Sequence, residues 1–175
     1  HSSHRGLELA LGADLVVIGP QTHLDSLQRE LHQMLNKPAP SAAVLAQQIP
    51  DTIRPTAVAE IGRRYSFGDN VELRPFAEAR AGDETLFRVG ADFTFGQVTR
   101  GELLSRESIT GQRYRVIYGS ALGYSFTLGG DMAWVADSVY LPEARGYRLT
   151  DRRDRVRAGI HWQGRSASAF YGLTY

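Results

Sequence analysis

The sequence predicts an all-β protein: an antiparallel up-and-down transmembrane β-barrel, about eight strands of it in this chain, with one long helical loop. Three observations carry that prediction. Apolar and polar residues alternate with period two over stretches of ten or more residues, and short glycine-rich turns separate many of these stretches. The polar faces are charged, whereas the apolar faces hold Leu, Val, Ala and aromatics. A barrel in a lipid bilayer needs apolar side chains outside and a polar or network-filled lumen, the reverse of a soluble barrel. A two-sheet sandwich with one solvated face per sheet is the competing architecture.

The strands read from this pattern are 6–18, 53–67, 70–81, 84–97, 112–126, 130–141, 152–163 and 165–175. In the first, Leu7, Leu9, Leu11, Ala13, Leu15 and Val17 share one face, opposite Glu8, Ala10, Gly12, Asp14 and Val16. Between Glu84 and Phe95 one face reads Thr85, Phe87, Val89, Ala91, Phe93, Phe95, and the other Glu84, Leu86, Arg88, Gly90, Asp92, Thr94. Near the end, Val156, Ala158, Ile160 and Trp162 oppose Arg153, Arg155, Arg157, Gly159, His161 and Gln163. Turns are expected at Gly68-Asp69-Asn70, Ala81-Gly82-Asp83, Gly129-Gly130-Asp131 and Gly164. Aromatics near strand ends (Tyr65, Phe67, Phe93, Phe95, Tyr114, Tyr124, Phe126, Tyr140, Trp162, Tyr171, Tyr175) fall where interfacial girdles would lie.

One segment breaks the rhythm. After Gly19-Pro20, residues 22–36 place Leu24, Leu27, Leu31, Met34 and Leu35 on one helical face, with Thr22 as a candidate cap and Pro38 and Pro40 as the stop. A short helical piece from Ala42 to Gln48 is expected before Pro50. The whole insertion, 19–51, is too long for a neutral connector, and long structured loops carry function. With that loop on one side, strand alternation puts 98–111 and 142–151 on the other, both longer than the short turns of such barrels. A further strand around Glu102–Ser108 would change this parity.

Length and composition set the outer bounds. The 175 residues are read as one domain, 1–175, with 19–51 as its insertion. Absence of cysteine excludes a disulfide scaffold, a thiolate metal site and a cysteine nucleophile. With 20 basic against 19 acidic residues, whole-chain charge gives no attraction to nucleic acid, and no nucleic-acid partner is expected. No run of 18 apolar residues offers a spanning helix. Of the basic residues only Lys37 is not arginine, a bias that fits codon usage or the recognition of carboxylates and phosphates. His1-Ser2-Ser3-His4 is no signal peptide, so targeting information was removed or the chain begins inside a longer protein.

For chemistry, Gln28 and His32 lie four apart on the helix, flanking the leucine stripe with Asp25 just beyond. A histidine at the border of an apolar stripe suits a general base acting on an acyl ester, because the stripe holds the chain and the imidazole takes the proton. The plainer reading is a shoulder histidine satisfied by Gln28 or solvent. His1, His4, His23 and His161 show no metal-ligand spacing, and neither a Gly-x-Ser-x-Gly elbow nor a glycine-rich phosphate loop is present. The row Arg153, Arg155, Arg157 can meet lipid phosphates or pair inside the lumen with Glu60, Glu72, Glu78 and Asp92.

Residues 9–20, Leu-Ala-Leu-Gly-Ala-Asp-Leu-Val-Val-Ile-Gly-Pro, followed by Leu27-Gln28-Arg29-Glu30-Leu31-His32, resemble the lipid A 3-O-deacylase (LpxR-type) family of Gram-negative outer membranes. Arg54–Arg64, Gly90–Gly96 and Arg155–Tyr175 are similar too, so the resemblance covers essentially the whole chain. It implies an outer-membrane barrel of twelve strands that hydrolyses the 3-O-linked acyl chain of lipid A with calcium. By the resemblance His32 is the general base that activates water, Gln28, Leu27 and Leu31 contact the substrate, and calcium stabilises the oxyanion. Its partners would be lipid A or lipopolysaccharide and other outer-membrane lipids. Against the family pattern, an Asn-Asp pair on earlier strands is missing, Ser41-Ala42 replaces a Gly-Trp after the helix, and Gln47 or Gln48 matches a following glutamine. The chain is therefore expected to be a fragment, three strands short at its start and one at its end, retaining the base without the whole site. Such an open sheet should aggregate or pair with another copy. A phospholipase-like esterase and a non-catalytic or lipopolysaccharide-binding structural barrel are the alternative functions.

Overall fold

The computed structural model describes residues 2–4, 6–20, 24–38, 41 and 49–175. Its strands are β1 (Ser2–His4), β2 (Leu7–Ile18), β3 (Thr52–Arg63), β4 (Tyr65–Phe67), β5 (Val71–Ala81), β6 (Glu84–Gly96), β7 (Leu103–Arg106), β8 (Arg113–Ile117), β9 (Gly123–Ser138), β10 (Arg152–Gln163) and β11 (Ser168–Thr174). One helix, α1 (Leu24–Met34), lies between β2 and β3. All pairings are antiparallel. The main sheet runs β1-β2-β3-β5-β6-β9-β10-β11 with β4 alongside β5, and β7–β8 form a separate hairpin. The architecture is the expected up-and-down meander, curled into a half-barrel.

The two faces of this sheet explain the alternation. Buried positions are mostly charged: Glu8, Glu60, Arg74, Glu78, Arg80, Arg88, Asp92, Asp131 and Arg157, against Phe76, Leu86, Val98 and Ala133 as the buried hydrophobics. The other face exposes Leu9, Leu11, Leu15, Val17, Ile61, Phe87, Phe93, Leu128, Trp134 and Val156. A water-soluble fold would reverse this arrangement; a lipid-facing wall requires it. Inside, acids and bases from several strands pair with one another, some on neighbouring strands, as Arg88 with Glu78, and some across an intervening strand, as Arg74 with Glu8. Arg74 lies opposite Asp92, Asp92 opposite Gly129, and Gly129 opposite Arg157. With only hydrogen at Gly129, Arg157 Nη2 reaches across to Asp92 Oδ1 at 2.8 Å. A Cβ there would stand 3.0 Å from that same nitrogen and closer still to the Asp92 carboxylate.

The Gly129-Gly130-Asp131 turn expected from sequence is thus corrected. These residues sit inside β9, one continuous strand of 16 residues, where Gly129 makes room for an ion pair instead of reversing the chain. The two strands read at 112–126 and 130–141 are replaced by β8 and β9. The missed strand near Glu102 exists as β7. Parity changes accordingly: α1, the Gly82-Asp83 turn and the 139–151 connection share one end, and residues 64–70, 97–122 and 164–167 share the other. The 53–67 strand divides at Arg64, whose amide bonds Gly6 O at 2.8 Å and whose Nε meets Glu8 Oε1 at 2.5 Å. Asn70–Ala81 and Glu84–Gln97 shorten by a residue each, and 165–175 becomes Ser168–Thr174.

The β7–β8 hairpin docks on the charged face. Arg106 donates to Glu60 Oε2 at 2.6 Å and Asp92 Oδ2 at 2.8 Å, and its guanidinium stands 3.6 Å above the Phe76 ring. Gln112 Nε2 donates to Leu173 O at 2.8 Å on β11, and Arg113 lies 3.8 Å from Glu8 on β2. β2 and β11 are near opposite margins of the sheet, so one hairpin can touch both only because the sheet curls around it. Aromatics follow the rim at the hairpin end: Phe67, Phe93, Phe95, Tyr124, Phe126 and Tyr171 are exposed on the outer wall. Tyr114 departs from the girdle because it belongs to the hairpin, and Tyr140 because its hydroxyl turns to Asp83.

Candidate functional site

α1 spans Leu24–Met34, and Leu27, Leu31, Met34 and Leu35 remain exposed on it. How the helix stops determines what His32 can do. Asn36 has φ +54°, the left-handed conformation that asparagine tolerates better than other side-chain-bearing residues. From there Lys37 N donates back to His32 O at 2.7 Å and Asn36 N to Gln33 O at 3.1 Å, the paired bonds of a Schellman cap. This reversal brings the Pro38 carbonyl to 3.0 Å from His32 Nδ1. A carbonyl oxygen can only accept, so Nδ1 carries the hydrogen and, in the neutral ring, Nε2 is left as the acceptor.

Among the described residues the helix therefore presents a half-buried imidazole whose Nε2 meets no partner, together with exposed Leu27 and Leu31. Leu27 and Leu31 take the places expected of them on that stripe. Gln28 lies on the described backbone, but its side chain is outside the described residues, as are Thr22, His23 and the Ala42–Gln48 piece. Sequence reasoning reads Pro38 as the helix stop but misses Asn36 and the Pro38 carbonyl's contact with His32; the Asn-Lys-Pro run after the last periodic residue carried the signal of a left-handed cap followed by proline. The stem below is narrow: a Cβ on Gly19, at φ +107°, would lie 2.8 Å from Asp51 Cα.

Next to the loop's base, the Gly82-Asp83 turn is pinned. Asp83 accepts from Arg80 Nε at 2.8 Å, Arg80 Nη2 at 3.0 Å, Thr56 Oγ1 at 3.1 Å and Tyr140 Oη at 2.9 Å. Burial alone would raise its carboxyl, but the Arg80 and Tyr140 hydrogen bonds outweigh burial and hold it at about 2. Burial and the same Asp83 contact push the Tyr140 phenol up to about 12.

The arginine row resolves into internal pairing. Arg157 bonds Asp92 and Asp131, Arg155 bonds Asp131 at 3.1 Å, and Arg153 reaches Glu84 at 3.0 Å. Of the acids expected to pair with this row only Asp92 does: Glu60 goes to Arg74 and Arg106, Glu78 to Arg88, and Glu72 has no ion pair among the described residues. His161 is buried against Phe170, ring centroids 4.5 Å apart, beside a cavity of about 160 Å³. A second cavity of about 540 Å³ lies between the hairpin and β2, β3 and β5, with no α1 residue on its wall.

Calcium takes six to eight oxygen ligands, several of them carboxylate. Every buried carboxylate among the described residues is already bound by an arginine, and no three or more acidic or histidine side chains there are grouped to hold a metal ion. The described residues thus do not fit the calcium site that the family resemblance implies.

No family model matches the sequence, and no curated protein matches it. Among solved structures, LpxR from Salmonella typhimurium matches with a TM-score of 0.75 over 99% of this chain at 18% identity. The chain spans 62% of the length of that LpxR chain. The family to which Gly19-Pro20, Gln28 and His32 pointed is the one whose fold the structure reproduces, and the likeness at this identity is one of fold: the chain is built as part of an LpxR-like β-barrel.

Proposed function

We propose that this chain belongs to an outer-membrane hydrolase that removes a 3-O-linked acyl chain from lipid A, with His32 as general base. The observation that carries this is the His32 Nδ1 contact with Pro38 O at 3.0 Å, which leaves Nε2 as the acceptor on a helix that also exposes Leu27 and Leu31. The LpxR-like fold and the exposed apolar wall support the membrane setting and a lipid A substrate. Nε2 takes a proton from water as its oxygen attacks the ester carbonyl. Collapse of the tetrahedral intermediate breaks the acyl C–O bond, and the imidazolium returns the proton to the departing sugar oxygen, leaving a free fatty acid and a hydroxyl. Leu27 and Leu31 hold the acyl chain, and Gln28 a polar part of the substrate. Calcium enters only as a test condition, since the described residues supply no cradle for it.

The test is mass spectrometry of lipid A incubated with the protein in detergent, with calcium or chelator, against His32→Ala. Loss of one acyl chain is expected, reduced about 10²–10⁴-fold in His32→Ala with the barrel still folded. Equal deacylation by His32→Ala would refute the base. A phospholipid arm separates the phospholipase-like reading. A second reading, a lipopolysaccharide-binding barrel without chemistry, predicts lipid A binding with no mass change.

A further inference from the structure

We propose that Asn36 is a positioning residue for the base: its left-handed conformation makes the turn that fixes His32 in the Nδ1–H tautomer. This rests on the reading of His32 as a base and deepens it. Three observations meet here. Asn36 has φ +54°, one of two non-glycine residues with positive φ among those described, the other being Thr99. The bonds Lys37 N to His32 O (2.7 Å) and Asn36 N to Gln33 O (3.1 Å) close the helix through that conformation. The same turn delivers Pro38 O to His32 Nδ1 at 3.0 Å.

The chemistry follows from what each group can do. A carbonyl has no proton to give, so the contact exists only while Nδ1 bears hydrogen. In a neutral ring that assigns the lone pair to Nε2, and it fixes the ring plane as well. A histidine acting as base loses its function in the wrong tautomer even when its position is kept. Pro38 has no N–H of its own to compete within this turn. The turn also survives protonation: the imidazolium formed during catalysis still donates Nδ1–H to the same oxygen. A helix ending without the left-handed residue would carry the chain past His32, and the ring would choose its tautomer from solvent.

Asn36→Gly keeps the left-handed conformation without its side chain, and Asn36→Val disfavours it strongly because β-branching clashes at positive φ. The measurement is the tautomer of His32, read from ¹⁵N chemical shifts and two-bond couplings in ¹⁵N-histidine protein in detergent micelles, with His32→Ala to assign the resonance. Folding of each variant is monitored by the heat-modifiable gel shift and circular dichroism. We expect the Nδ1–H form in the unaltered protein and in Asn36→Gly, and a loss of it in Asn36→Val. Turnover of acyl ester should fall about tenfold or more in kcat for Asn36→Val, with KM within about twofold, and be retained in Asn36→Gly. An Nε2–H tautomer in the unaltered protein, or an unchanged tautomer in folded Asn36→Val, overturns the proposal. If the tautomer behaves as expected but none of the proteins cleaves an acyl ester, the orientation stands while its catalytic purpose and the proposed function fail together.

Discussion

Between β6 and β9 the chain inserts residues 97–122, and between β2 and β3 it inserts 19–51, at opposite ends of the same sheet. The first returns into the lumen and satisfies its charges there: Arg106 on Glu60 and Asp92, Arg115 on Glu102 and Gln163, Gln112 on the β10 and β11 backbone. The second carries a helix on which Leu27 and Leu31 are exposed and at whose end His32 is held by the Pro38 carbonyl. Both are long and both interrupt a regular meander, but the first is tied by its buried charges to strands across the sheet. Residues that hold a scaffold find their partners within the chain, and residues that act on something else leave a face or an atom unspent. On that criterion the hairpin is structural, and the helix is the insertion to which the proposed chemistry is assigned.

Breaking the hairpin should cost most. Arg106→Ala removes the shared partner of two buried carboxylates and the cation over Phe76, leaving Glu60 with Arg74 and Asp92 with Arg157 alone. We expect about 3 kcal/mol of destabilisation in denaturant unfolding from detergent, the range found when one member of a buried pair is deleted. A variant as stable as the parent would show that the hairpin merely rests in the lumen, and the contrast with the helix would collapse.

A smaller, pH-dependent effect belongs to the turn that anchors the helical end. The Asp83 carboxyl is held at about 2, below its ordinary 3.8, so its contribution is complete above about pH 4 and fades as pH falls through 2. Tyr140, pushed up from 10 to about 12, adds stability below pH 10 that disappears as pH rises through 12. The stability difference between the parent and Asp83→Asn should therefore be constant from about pH 4 to 10 and shrink toward pH 2. Taking the difference removes the other titrating carboxylates. A difference unchanged at pH 2 would mean that Asp83 does not tie the 139–151 connection to the rim.

How much of this was legible beforehand follows the same division. Strands such as β10, with Arg155, Arg157 and His161 on one face and Val156, Ala158 and Ile160 on the other, announce themselves because period two survives wherever one wall meets lipid and the other meets charge. β9 runs against its sequence signal because two adjacent glycines mark a turn in most sequences, and the purpose of Gly129 here, space for Asp92 and Arg157, exists only after three strands are assembled. β7 was nearly invisible, at four residues with its partners Glu60 and Asp92 many positions upstream. In the candidate site, the helix face and His32 could be read from spacing. The Pro38 contact could not, because it depends on Asn36 adopting a left-handed conformation that sequence permits but does not compel.

The smallest expected effect sharpens the contrast from the helix side. Leu27 is 61% exposed, so Leu27→Ser should change stability by no more than about 0.5 kcal/mol, chiefly through helix propensity. If the stripe holds an acyl chain, the same substitution raises KM for lipid A several-fold with kcat little changed, because the lost contact is made equally in ground and transition states. Arg106→Ala and Leu27→Ser then form an opposed pair, one lowering stability and the other affinity. A Leu27→Ser protein destabilised by 2 kcal/mol or more would place Leu27 in a packed interface, and the helix would join the hairpin as scaffold.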